Sequence, residues 1–148
     1  MRAMGAFSGV RALHLPVRLH GIQLGRAHDL LLDAVEWRGV GFEVQCGDDA
    51  ERFLPFSTAH VIGEEIVVNS ALMLLEDVDF YRTRTRSMRS LIGSRIEVDG
   101  TSAGTLRDIE LNAEGAAVEL VLNDDNGGEE RRVDPARALT VASRRDAA

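Results

Sequence analysis

Four sets of residues have side chains that can do chemistry. The first is a pair of carboxylates, Asp29 and Asp108, 79 positions apart. Paired carboxylates serve acid–base catalysis. Each, however, stands four residues after a glycine, Gly25 and Gly104, in a repeated context. Aspartates so placed accept hydrogen bonds from turn backbone N–H groups. That structural turn role is expected for Gly25, Asp29, Gly104 and Asp108. The second set is His14, His20, His28 and His60. A zinc site needs three or four converging ligands. The first three histidines fit no helical i,i+4 pair, although His20 and His28 can lie on neighbouring strands of one hairpin. The third is Cys46, the only cysteine. It alternates with Phe42 and Val44, which predicts a buried, unreactive thiol. Neither a catalytic residue, a metal site nor a cofactor is expected. No Gly-x-Ser-x-Gly, phosphate-binding or dinucleotide-binding glycine pattern is present.

The fourth set is the sharpest surface feature. In 80-FYRTRTRSMRS-90, Arg82, Arg84, Arg86 and Arg89 fall within eight positions, beside Phe80 and Tyr81. Arginine with aromatics is enriched at protein interfaces, and arginine forks also grip phosphates. The competing reading is a solvated linker face neutralised by Glu76, Asp77 and Asp79. The acidic hairpin with Asp124, Asp125, Glu129 and Glu130 is a further candidate partner. Four close arginines repel unless something compensates them.

Elements must position these groups, and composition bounds the elements. The chain has 148 residues, 45% hydrophobic and 28% charged, with net charge −7 and arginine as its only basic residue besides four histidines. This suits a soluble globular chain. A net acidic chain argues against general nucleic-acid binding. No apolar run approaches the roughly 18 residues of a membrane span. The start lacks an unbroken apolar core, and one cysteine forms no intrachain disulfide. A cytoplasmic location is expected.

The chain repeats itself. 21-GIQLGRAHDLLLD-33 slides onto 100-GTSAGTLRDIELN-112, matching Gly21 with Gly100, Gly25 with Gly104 and Asp29 with Asp108. Downstream, Val40, Phe42, Val44 and Cys46 alternate as a strand with one buried face, matched by Val118, Leu120 and Leu122. Polar turns follow at 47–51 and 123–130, then 52-RFLP-55 against 132-RVDP-135. Next come 60-HVIG-63 against 139-LTVA-142, and 65-EIVV-68 in the first half alone. Strands with turns at this spacing predict an all-β fold of small barrels or sandwiches. Between the halves, Asn69 or Ser70 is expected to cap a helix over 71-ALMLLEDV-78. A second helix is expected from an Asp79 cap to a Gly93 stop. There, Phe80, Tyr81, Met88, Leu91 and Ile92 make an apolar face.

The stretch 90-SLIGSRIEVDGTSAGTLRDIELNAEGAAVELVL-122 resembles a PRC-barrel domain. The residues that carry the resemblance are Leu91, Ile92 and Gly93 at the lead-in, then Gly104, Asp108, Ile109 and Leu111. In the first half, 16-PVRLHG-21 stands in place of Leu-Ile-Gly, while Gly25, Asp29 and Asp33 keep the central element. The resemblance implies two small six-stranded β-barrels packed together. Their spans are residues 14–68 and 90–142, joined by a mainly helical connector at 69–89 and followed by a frayed tail at 143–148. It implies docking onto other proteins and no reaction. The expected function is a non-enzymatic interaction module with an unidentified protein partner and a homodimeric state. The alternatives are an RNA- or ribosome-assembly factor, and a small-ligand or metal binder using the cleft between barrels.

Overall fold

The computed structural model describes residues 6–124, 128–137 and 139–142. The chain is mainly β, in two sheets. An N-terminal arm holds β1 (Phe7–Ser8) and a one-turn helix α1 (Gly9–Ala12). The first sheet is built from β2 (Pro16–Leu19), β3 (Ile22–Asp33), β4 (Arg38–Cys46), β5 (Glu51–Pro55), β6 (His60–Ile62) and β7 (Glu65–Val67). Its order is β5-β4-β3-β2-β7-β6. The connector contains α2 (Val78–Arg82). A second arm follows, with β8 (Arg86–Ser87) and α3 (Met88–Leu91). The second sheet comprises β9 (Arg95–Val98), β10 (Thr101–Leu111), β11 (Ala117–Asn123), β12 (Glu130–Val133) and β13 (Leu139–Ala142). Its order is β12-β11-β10-β9-β13. Among the described residues no helix is long and apolar enough to cross a membrane.

The hairpin turns carry the repeat. His20–Gly21 have φ of 49° and 83°, and Asp99–Gly100 have φ of 53° and 84°. Two consecutive positive φ values make the primed turn that matches strand twist. The repeated Gly25 and Gly104 are not turn residues, which corrects the expectation. They lie inside β3 and β10. They are small because a Cβ at Gly25 would sit 2.4 Å from Gln45 O, and one at Gly104 2.3 Å from Asn123 O. The halves differ at one strand. β13 pairs directly with β9, whereas β7 inserts in parallel between β2 and β6.

Each arm docks on the other half. β1 pairs with β10, and β8 pairs with β3. The correspondence of 79 positions therefore runs upstream, from Ser8 to Ser87 and from His14 to Gly93. The two residues share one role. His14 (φ 82°) donates its N–H to Ala27 O, and Gly93 (φ 88°) donates to Leu106 O, both at 2.7 Å. The first half's counterpart of Leu91-Ile92-Gly93 is thus Ala12-Leu13-His14, and 16-PVRLHG-21 is β2 and its turn. The arms meet closely, since a Cβ on Gly9 would fall 2.7 Å from Met88 Sδ. The hairpin tips also join, Gly39 N–H to Gly115 O at 2.7 Å and Ala117 N–H to Trp37 O at 2.8 Å. One core results, holding Leu30, Phe42 and Leu54 from the first half with Met88, Leu106 and Ile109 from the second.

The connector is less helical than expected. Ser70 caps only a 3₁₀ turn over Ala71–Met73. Leu75 then exchanges both backbone hydrogen bonds with Phe53 at 2.8 Å, which pulls the chain straight. The helix expected over 79–93 is two short helices separated by β8, and Asp77, not Asp79, caps the first. Pairing of Arg86 and Ser87 with Leu32 and Leu31 breaks it. Of the apolar residues in this region, Leu72 is 84% exposed while Met88 and Leu91 are fully buried. The expected tail and Asp125 lie outside the described residues.

Candidate functional site

Asp29 and Asp108 are hydrogen-bond acceptors, but the donors come from the arms. A β-bulge precedes each, between Ala27 and Asp29 and between Leu106 and Asp108. The extra residue re-aims the strand. Asp29 Oδ1 accepts from Leu30 N–H at 2.8 Å and Arg89 N–H at 3.2 Å, and Oδ2 accepts the Ser87 hydroxyl. Asp108 repeats this with Ile109 N–H at 2.7 Å, Val10 N–H at 3.0 Å and the Ser8 hydroxyl. Both carboxylates therefore hold an arm at its helix start, so the expected acceptor role holds while the turn role does not. Cys46 is buried, as expected.

The connector is fixed by stacking and charge. Tyr81 stacks on the buried ring of Phe53, with centroids 3.7 Å apart, and Val78 joins Phe53 and Leu31 in a small second apolar cluster. Beside that cluster the Arg82 guanidinium binds both Glu43 and Glu51, and meets Asp79 Oδ1 at 3.3 Å. Glu43 is 4% exposed. The hydrogen bond to Glu43, helped by Glu51, raises the affinity of Arg82 for its proton. A buried carboxylate demands such a cation.

The four arginines do not form one face. Arg84 lies over the Phe80 ring, 3.8 Å from its centroid. Arg86 is exposed on β8. Arg89 donates through Nε to His28 O and places Nη2 3.4 Å from His14 Nε2. Only Arg82 and Arg84 belong to the connector helix and its end. Arg82 is compensated by Glu43 and Glu51 on β4 and β5, whereas Arg84 contacts Phe80 and Thr83.

Two features escaped the sequence. Glu43 and Glu51 converge with His28, with ligand atoms all within 4.8 Å of one another. His28 Nε2 is 3.6 Å from Glu43 and 3.4 Å from Glu51 and has no hydrogen bond. These residue types suit a metal, but Arg82 already supplies the positive charge at both carboxylates. The second feature is a groove of about 780 Å³ along the connector. Leu72, Leu74, Leu75, Phe80 and Tyr81 line it, together with the exposed residues Glu76 and Asp77. The four arginines drew attention to this segment, but no periodic signal marks a groove in a 3₁₀ turn and an extended run.

No protein-family model matches the chain, and no curated protein matches it either.

Proposed function

We propose that this chain is a non-enzymatic protein-interaction module, a tandem of two PRC-barrel-like units whose docking element is the connector. One observation carries the reading. The connector is anchored on its inner side by Tyr81 and Arg82, while Leu72 stays 84% exposed and Phe80 46% exposed along its groove. Side chains held by a rigid anchor lose little entropy on binding, which favours their use as contacts. The groove lining includes Glu76 and Asp77, in a chain of net charge −7. The partner that complements this surface is a segment with large apolar side chains flanked by arginine or lysine. Arg82 and Arg89 are engaged by Glu43, Glu51 and the His28 carbonyl, which interrupts any continuous arginine surface for a phosphate backbone, so a protein partner is favoured over RNA.

The test compares affinity capture by the natural chain with capture by a Leu72→Asp/Phe80→Asp variant, with nuclease present, followed by titration of the purified partner. The expected result is one basic-apolar partner, lost with the variant and kept by Arg86→Glu. Equal recovery by both chains would overturn the groove as the docking site. Ribosomal proteins recovered only without nuclease would favour the RNA-linked reading. Recovery of the chain alone would favour a homodimer through the same surface.

A further inference from the structure

Three side chains converge on the face of the first sheet that the connector covers. His28 comes from β3, Glu43 from β4 and Glu51 from β5. These strands are paired side by side. Phe53 stands opposite Glu43, and Glu51 lies two residues from Phe53 on the same face. His28 is the extra residue of the bulge between Ala27 and Asp29, which turns its ring toward the two glutamates. Its Nε2 lies 3.6 Å from Glu43 Oε1 and 3.4 Å from Glu51 Oε2. Tetrahedral zinc, with bonds of about 2.0–2.1 Å, holds its ligand atoms about 3.3–3.4 Å apart. Two edges of such a tetrahedron are therefore nearly in place.

Two further observations point to an ion. The first is the histidine nitrogen. The ring is partly exposed, yet Nε2 itself is shut off from solvent and makes no hydrogen bond. A buried polar atom without a partner is costly. When Nε2 carries the lone pair it faces two carboxylates, which have no proton to give it, and a metal ion supplies the acceptor it needs. The second observation is charge. Arg82 Nη2 binds the same two oxygens, Glu43 Oε1 and Glu51 Oε2. Asp79 adds a third carboxylate to Arg82. The other guanidinium nearby, that of Arg89, donates its Nε to His28 O. Three carboxylates thus stand against two guanidiniums, one of which points at backbone. A divalent ion would cancel Glu43 and Glu51 and take the imidazole as well, which a guanidinium cannot do because it only donates.

We propose that His28, Glu43 and Glu51 bind a divalent transition ion of the zinc class, in competition with Arg82. Imidazole and carboxylate both suit such ions. The three ligands sit on paired strands, so they stay in place when Arg82 leaves, and water completes the fourth position. The displaced guanidinium keeps its proton and turns to Asp79 and solvent. The connector then loses its charged anchor and keeps only its apolar and backbone contacts. The ion is thereby a release signal for the connector. The site does not require the groove to take a protein partner.

Zinc is titrated calorimetrically into the full chain after chelator treatment, and cobalt(II) is added as a spectroscopic probe. The expected result is one ion per chain, since no other group of three such ligands converges among the described residues, with the strong visible bands of tetrahedral cobalt. His28→Ala and Glu51→Gln, both on partly exposed side chains, should weaken binding about tenfold or more, and His60→Ala should leave it unchanged. Arg82→Gln should tighten it about tenfold or more, roughly 1.4 kcal/mol, because the competitor is gone. Zinc should also speed protease cleavage of the connector in the natural chain but not in Glu51→Gln. Thermal unfolding of each variant separates lost binding from lost folding. No saturable binding, equal weakening by His60→Ala, or no gain from Arg82→Gln would overturn the proposal. Binding confined to Arg82→Gln would overturn the ion as a ligand of the natural chain.

Discussion

The Ser87 hydroxyl donates to the Asp29 carboxylate across 58 residues of sequence, and Ser8 does the same to Asp108 across 100. Each bond ties an arm to the long strand of the other half. Asp29 is 5% exposed and accepts three donors, so its loss strands Ser87 O–H and Arg89 N–H. Asp29→Ala is expected to destabilise by about 1–3 kcal/mol. A Ser87→Ala/Asp29→Ala cycle read by urea unfolding should show coupling of roughly 0.5 kcal/mol or more. Additive effects would mean the bond contributes nothing.

Gly9 leaves no room for a side chain. Its Cβ would meet Met88 Sδ at 2.7 Å, Met88 Cε at 2.8 Å and Ile109 O at 3.1 Å. Gly9→Val should cost about 1–3 kcal/mol by overpacking. Adding Met88→Ala should recover part of that loss, because the sulfur is the nearest obstacle. The thermal midpoints of the single and double variants decide it, and no recovery would show the arms are not packed against each other.

Arg82 and Arg84 should behave differently despite their spacing. Removing Arg82 leaves the buried Glu43 carboxylate without its cation. Arg82 is itself 39% exposed, so solvent screens part of the loss, and Arg82→Ala is expected to cost about 1–2 kcal/mol. Arg84→Ala removes a contact to an exposed ring and should stay within about 0.5 kcal/mol. The connector should also open to protease in Arg82→Ala alone. Equal cleavage of both variants would contradict Arg82 as the anchor.

Acid should weaken the turn at residues 47–51. Arg52 donates two hydrogen bonds to Asp48, at 3.1 and 3.0 Å, and with Ala50 N–H holds its carboxyl below the usual carboxylate range. A depressed folded value stabilises above the unfolded value and loses that effect as pH falls through the folded one. The natural chain should therefore lose more stability than Asp48→Asn between about pH 5 and about pH 2. Identical acid limbs in urea titrations would refute this. Asp48 is exposed, so the difference should be small and abolished by salt.

The strands were legible because their signals are local. Alternation at Phe42, Val44 and Cys46 and the Gly21 and Gly100 turns need only neighbouring residues to be read. The arms were not legible, because Ser8 and Ser87 gain meaning only from partners in the opposite half. A three-residue lead-in of Ala12-Leu13-His14 also hides the match, since histidine takes the positive φ that Gly93 takes freely. The arginines misled for the same reason. Their spacing suggested one helical face, but β8 pairs with β3 and divides them. Glu43 gave no signal either, since its burial depends on a connector that arrives 39 residues later.

The exchanged arms impose an order on synthesis. A chain growing from its N-terminus completes every strand of the first sheet from β2 to β7 by Val67, yet Asp29 still lacks Ser87 and Arg89. The arm at residues 7–12 waits longer, until β10 has emerged through Leu111. Domains that fold as units during translation close one after another. This chain instead has two halves that finish together, so a truncation anywhere before β10 leaves an N-terminal arm with nothing to dock on.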